Sequence, residues 1–256
     1  MDYYLIILLA GLVGLFAGFL SGMLGIGGGS IRVPLLNLLG FDLLVAFGIN
    51  LLTIPFSALF GAKSHIDNID MKTTLFLTLG GCGGTLVGLV LAFHLSLSKL
   101  LLPAIFFLSS ILTVLGLNLY KISPKISSKL KPTAFNIILG AMTLNFITGL
   151  KGGSGGSLFP PFLKTLGYDI HKAIAISLLT TFFTSITGVF YYYFKGIPFA
   201  SEGMVVILGS IIGVKLGSVV SIKTKPRMLE VTLSIIVVLL ALIPLIKAII
   251  KIWSIS

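Results

Sequence analysis

Two glycine-rich runs carry the most pointed chemistry in this chain. The first reads Gly25, Ile26, Gly27, Gly28, Gly29, Ser30, with Arg32 two residues on; the second reads Lys151, Gly152, Gly153, Ser154, Gly155, Gly156, Ser157. Glycine is about 1 kcal/mol less favourable than alanine inside a helix, so such runs interrupt helices rather than extend them. Interrupted backbone leaves amide N–H groups without intrahelical partners. Successive N–H groups in a turn, or at the positive end of a helix dipole, form a nest for an anion. Ser30 and Ser157 are N-cap residue types and are expected to begin a short helix each. Arg32 and Lys151 supply one cation per run, and a guanidinium can meet an oxyanion through paired hydrogen bonds. Thr53 and Thr180, with Asn50 and Ser177 one turn earlier, add hydroxyl and amide groups on one helical face. The expected substrate-binding set is Gly25, Gly27, Gly28, Gly29, Ser30, Arg32, Lys151, Gly152, Gly153, Ser154, Gly155, Gly156, Ser157, Thr53 and Thr180. The competing readings are close packing for the glycines, snorkelling for the two cations and helix-to-helix bonding for the threonines.

Other chemistries lack their residues. The acids Asp2, Asp42, Asp67, Asp70, Asp169, Glu202 and Glu230 fall at segment ends or in connections, as do His65, His94 and His171. A metal site or an intramembrane proton relay is therefore a poor fit, since an unpaired cation within a bilayer is costly. Cys82 is the single cysteine, with no disulfide partner and no companion ligands. No constellation suits an enzyme, no nucleotide-binding loop is present, and no cofactor is expected. Lys215 is a candidate by default, as a cation inside an apolar segment.

The elements that must hold these runs are membrane helices. The 256 residues are 56% hydrophobic and 10% charged, with mean hydropathy +1.14. Soluble domains carry about 25% charged residues. Apolar runs over 3–24, 43–62, 73–93, 100–119, 133–150, 173–194, 203–222 and 229–250 are each near the ~20 residues a helix needs to cross the hydrocarbon. The net charge of +11 reads as loop cations facing lipid head groups rather than as a nucleic-acid surface.

The chain also repeats itself. Shifted by 127 residues, 19–62 aligns with 146–189 without a gap at 18 of 44 identical positions, including Gly25/Gly152, Gly28/Gly155, Ser30/Ser157, Pro34/Pro161, Asp42/Asp169 and Thr53/Thr180. The fold expected is an all-α polytopic membrane protein of two tandem repeats, 1–120 and 133–256, joined by a basic linker at 121–132. Each repeat has four spans plus a short half-helix, 30–39 and 157–166, after its glycine run. Paired interrupted segments of this kind point to a transporter binding site. If each half-helix counts as a crossing, the repeats are inverted. Eleven loop cations (Lys63, Lys72, Lys121, Lys125, Lys129, Lys131, Lys164, Lys172, Lys223, Lys225, Arg227) then face one side against five on the other. The positive-inside rule favours that reading over parallel repeats, with the linker cytoplasmic and both termini outside.

The stretch "GFLSGMLGIGGGSIRVPLL", its copy "FITGLKGGSGGSLFPPFL" and the Leu-Leu-Thr and Phe pattern that follows each resemble the sulfite exporter TauE/SafE family from Leu5 to about Leu245. The second copy departs from the family pattern at Lys151, Ser154 and Pro160. The resemblance implies a multi-pass protein of the cytoplasmic membrane that moves sulfite and related organosulfur anions. The function expected is a secondary transporter exporting small sulfur-containing oxyanions by alternating access around the two glycine runs. The alternative is an anion channel using the same loops as a filter. The coupling ion is unspecified, and a homo-oligomer is left open.

Overall fold

The computed structural model describes residues 3–94, 130–150, 155–196, 201–225 and 227–229, with scattered helical positions at 108, at 111 and between 231 and 250. Its elements are α1 (Tyr3–Leu24), α2 (Gly29–Leu38), α3 (Leu43–Ser64), a 3-10 turn (Ile66–Asn68), α4 (Met71–His94), α5 (Ala134–Leu150), a 3-10 turn (Gly155–Ser157), α6 (Phe159–Thr165), α7 (Ile170–Phe194) and α8 (Gly203–Lys223). The chain is all-helical in its described residues. Five helices, α1, α3, α4, α7 and α8, are long and apolar enough to cross a membrane, and α5 is a shorter apolar helix of 17 residues. The expected span 100–119 and most of the linker 121–132 lie outside the described residues, as does much of 229–250.

Helix faces are sorted by size more than by polarity. On α1, Leu5, Leu8, Leu12 and Phe16 are exposed, while Ala10, Ala17 and Ser21 are fully buried. Large apolar side chains gain nothing by leaving lipid, so small residues that admit close backbone approach take the interior. On α1 and α8 this makes a glycine seam. A Cβ on Gly14, Gly18 or Gly22 would run into the carbonyls of Val206, Ser210 and Val214, and one on Gly209, Gly213 or Gly217 into those of Gly11, Leu15 and Phe19. The numbers rise together, so α1 and α8 are parallel. Helices α4 and α5 form a second parallel seam, with Gly80, Gly84 and Gly88 against the carbonyls of Ile138, Met142 and Phe146.

Between the seams stand α3 and α7, the most buried spans at 67% and 61%. Gly61 meets Leu178 and Gly188 meets Leu51, so these two are antiparallel. Gly203 meets Ile49 and Leu52 while Gly61 meets Val214, so α3 runs with α8. In the same way α7 runs with α4, through Gly81 against Thr184 and Gly188 against Leu89. Helices α1, α3 and α8 therefore run one way, and α4, α5 and α7 the other.

The half-helices differ in detail from expectation. The first is Gly29–Leu38, not 30–39, and is capped by Gly28 in the left-handed region at φ 74° with no side-chain bond. Ser30 is consequently its second residue and not its N-cap. The second half-helix is shorter than 157–166: Ser157 ends a 3-10 turn, and α6 begins at Phe159 behind Leu158. Pro160 and Pro161 open α6, where missing N–H groups cost least. Asp169 caps α7 through the His171 N–H at 2.8 Å, whereas Asp42 occupies the same place before α3 without a side-chain cap.

Candidate functional site: two touching glycine loops and a buried arginine

Gly25, Gly27 and Gly28 all have positive φ, 71°, 66° and 74°, which folds the first loop back on itself at the end of α1. The second loop touches it directly. A Cβ on Gly156 would lie 2.8 Å from the Ile26 carbonyl and 2.9 Å from the Gly27 nitrogen, so only glycine permits the approach. Ser177, on α7, ties the loops together. Its hydroxyl donates to the Gly25 carbonyl at 2.7 Å and lies 3.3 Å from that of Gly156.

Arg32 sits one turn into α2 and is completely buried. Its Nη1 donates to Asn50 Oδ1 at 2.6 Å and its Nη2 to Ser210 Oγ at 3.1 Å; Ser210 in turn donates to the Gly14 carbonyl at 2.9 Å. The Nε–H has no partner, and among the described residues no carboxylate pairs with the guanidinium. The glycine runs make room for this group: a Cβ on Gly28 would lie 2.8 Å from Arg32 Nη2, and one on Gly29 would lie 2.8 Å from Asn50 Nδ2. A guanidinium stays charged in proteins. Burying such a charge without a countercharge is expensive, and two neutral acceptors offset only part of that cost.

The second copy fills the matching place differently. Phe159 stands where the first half has Arg32, and its fully buried ring packs toward Gly81, the position matching Ser210 in the downstream part of the repeat. Asn145 reaches this region from α5, donating to the Gly81 carbonyl at 3.0 Å and to Thr85 Oγ1 at 3.1 Å. Among the described residues the architecture is paired, but the charge is single.

The expected site residues divide accordingly. Gly25, Gly27, Gly28, Gly29, Ser30, Arg32, Gly155, Gly156 and Ser157 are brought together by the touching loops and their half-helices. Thr53 bonds the Ile49 carbonyl of its own helix at 2.7 Å, leaving no donor for a ligand. Thr180 is fully buried and its Oγ1 has no partner; the same is true of Thr181, whose methyl packs 2.9 Å from where a Gly27 Cβ would be. Lys151, Gly152, Gly153 and Ser154 lie outside the described residues. Lys215 is exposed, with Nζ 4.9 Å from the centre of the Phe60 ring, and is not part of the site. Ser210 was not anticipated. The signal for it was a hydroxyl on the glycine face of a span, which composition alone does not separate from packing. A cavity of about 310 Å³ opens elsewhere, on the α5–α6 flank, beside Gly140, Thr143 and Phe162.

Comparison with known proteins places this arrangement. Residues 10–243 match the family model described as Sulfite exporter TauE/SafE. The chain is 28% identical over 250 residues to the probable membrane transporter protein YjnA of Bacillus subtilis, covering 88% of this chain and 94% of that one. It is 27% identical over 261 residues to the probable membrane transporter protein MJ0441 of Methanocaldococcus jannaschii, covering 91% and 93%. A third relative, YunE of Bacillus subtilis, is 25% identical over 263 residues, covering 89% and 93%. No solved structure matches the chain. With helices fit to cross a bilayer and a family match over nearly its whole length, the chain belongs to the sulfite exporter TauE/SafE family of membrane transporters.

Proposed function

We propose that this transporter exports small sulfur-containing oxyanions across the cell membrane by alternating access, with the substrate taken up between the two glycine loops beside Arg32. The observation that carries the proposal is the Arg32 guanidinium: fully buried, held by two neutral side chains, with its Nε–H unpartnered and, among the described residues, no carboxylate beside it. An anion is the natural countercharge. The loop amides and Asn50 Nδ2 supply further donors around it, and Lys151, Gly152, Gly153 and Ser154 complete the second loop in this reading. The direct contact of Gly156 with Ile26 and Gly27 closes the path between the loops. Such a seal suits a carrier that opens to one side at a time better than a standing pore.

The repeats are proposed to be inverted, with the linker 121–132 cytoplasmic and both termini outside. Helix direction supports this. Because α1 and α3 run the same way, residues 25–42 return the chain across the full depth between them; α5 and α7 impose the same return on 151–169. Each short helix with its loop then counts as a crossing, and α3 and α7, matching helices of the two halves, are antiparallel.

Arg32→Met in the purified protein tests the site. Sulfite and small sulfonates are expected to raise the melting temperature of the wild type and not that of the variant, since ligand binding stabilises the folded state. Methionine removes the unpaired charge but leaves Asn50 Oδ1 without its donor, so the ligand-free variant is expected to fold with a melting temperature close to that of the wild type. Sulfite flux into liposomes should fall at least tenfold. A variant that moves sulfite at the wild-type rate would rule out Arg32 as the countercharge. Trans-stimulation by sulfite on the far side separates carrier from channel.

A further inference from the structure

Helices α1, α3 and α8 run the same way, and polar groups that the anion site does not use gather where they end. Gly22 contributes one of the last carbonyls of α1. That oxygen lies 3.3 Å from His65 Nε2 and 3.5 Å from Ser218 Oγ of α8. His65 closes α3, its N–H shared between the carbonyls of Gly61 and Ala62 at 3.2 and 3.1 Å. Although sequence places it at a segment edge, it is only 1% exposed; Leu20, Met23, Ala62 and Leu229 belong to one apolar cluster. His65 Nδ1 has no partner, nor has Ser21 Oγ beside Gly22 or Ser221 Oγ one turn beyond Ser218; both serines are fully buried.

A helix C-terminus presents unpaired carbonyls and the negative end of its dipole. Three such ends put acceptors around the imidazole, but none reaches Nδ1, so a proton added there in the closed form makes an N–H that is buried without a partner. The charged groups around it are few. From α7, His171 acts on the ring electrostatically. Helix α1 offers no titratable group beyond its N-terminal tyrosines. On α8 Lys215 lies over Phe60 and Lys223 is exposed, and Lys63, Asp67 and Arg227 on the flanking stretches are exposed as well.

We propose that His65 is a proton-binding site whose protonation opens the end of α1 and so couples the first glycine loop to pH. The link to the loop is short: Gly25, the first residue of positive φ, bonds through its N–H to the Ser21 carbonyl at 2.8 Å, one residue from the carbonyl that His65 holds. Burial holds the imidazole below its ordinary pKa and the charge of His171 pushes the same way, against the Gly22 bond. A group with a lower pKa in the closed form than in a hydrated one is protonated by opening, so falling pH favours the open form. A sodium ion among the same oxygens is the competing occupant; the unpartnered Nδ1 favours the proton.

Hydrogen exchange of peptides spanning residues 19–28, in the full chain and without sulfite or any sulfonate, tests this separately from the Arg32 reading. The wild type is expected to exchange at least threefold faster than His65→Gln at pH 5.5 and equally fast at pH 8, in sodium and potassium buffers alike. The ratio cancels the intrinsic pH dependence of exchange. His171→Gln, which removes the neighbouring charge, is expected to move the midpoint of the wild-type response upward. A ratio that does not change with pH, or a response that follows sodium, overturns the proposal. If His65→Gln fails to fold, an unshifted midpoint in His171→Gln overturns it instead.

Discussion

A guanidinium shut away from water makes every neighbouring backbone position consequential. Gly28 and Gly40 both have positive φ, 74° and 100°, but only Gly28 has Arg32 against it; nothing lies within 4 Å of a Cβ on Gly40. An L-residue in that region costs about 1–2 kcal/mol. Gly28→Ala and Gly40→Ala are therefore both expected to lower thermal stability, Gly28→Ala by more because its Cβ also meets Arg32, while only Gly28→Ala loses stabilisation by sulfite. Equal ligand responses in the two variants would mean that the loop does not position Arg32. Ser177→Ala removes a hydroxyl that reaches both loops, and the loss of a buried bond predicts about 1–3 kcal/mol of destabilisation in a thermal melt. The two glycine runs and Arg32 were legible in the sequence because their types are out of place in a membrane segment. Asn50 and Ser177 were legible as a helical face, yet their roles were not, because which loop a face meets depends on packing between the halves. Ser210 was hidden for the same reason: it serves Arg32 from a helix 178 residues away.

At the scale of elements, the two glycine seams decide how the halves hold each other. Helix α1 packs in parallel on α8 and α5 on α4, so with the repeats divided as the sequence alignment suggests each seam joins one half to the other. Gly84 and Gly83 are neighbours on α4 with opposite surroundings. A Cβ on Gly84 would strike the Met142 carbonyl, whereas nothing lies within 4 Å of one on Gly83. Overpacking a tight contact costs about 1–3 kcal/mol, and glycine to alanine in an open helical position gains up to about 1 kcal/mol. Gly84→Ala is expected to lower the melting temperature in detergent and Gly83→Ala to hold or raise it. Reversed signs would place the α4–α5 seam elsewhere. Hydropathy located the five described spans because lipid demands long apolar helices. Residue type alone misplaced a cap: Ser30 is displaced into α2 by a left-handed Gly28, a backbone feature that residue types do not order.

For the whole molecule, the open question is which ends share a side of the membrane. Inverted repeats put residue 72, at the start of α4, and residue 172, at the start of α7, on one face, with residue 195, after α7, on the other. Parallel repeats would put 72 with 195 and separate them from 172. The charge count tips toward the first arrangement only if ten-residue helices cross, which sequence length argues against and helix direction argues for: a chain whose α1 and α3 are parallel must come back between them. Lys72, Lys172 and Lys195 are each exposed, so single cysteines there, in a Cys82→Ser background, should label without disturbing the core. Intact cells treated with a membrane-impermeant maleimide are expected to modify Lys195→Cys and to spare Lys72→Cys and Lys172→Cys until the membrane is permeabilised. Labelling of 72 together with 195 would restore the parallel arrangement. It would also turn the short helices into re-entrant loops, and the two glycine runs would then approach the substrate from the same side instead of meeting it from opposite ones.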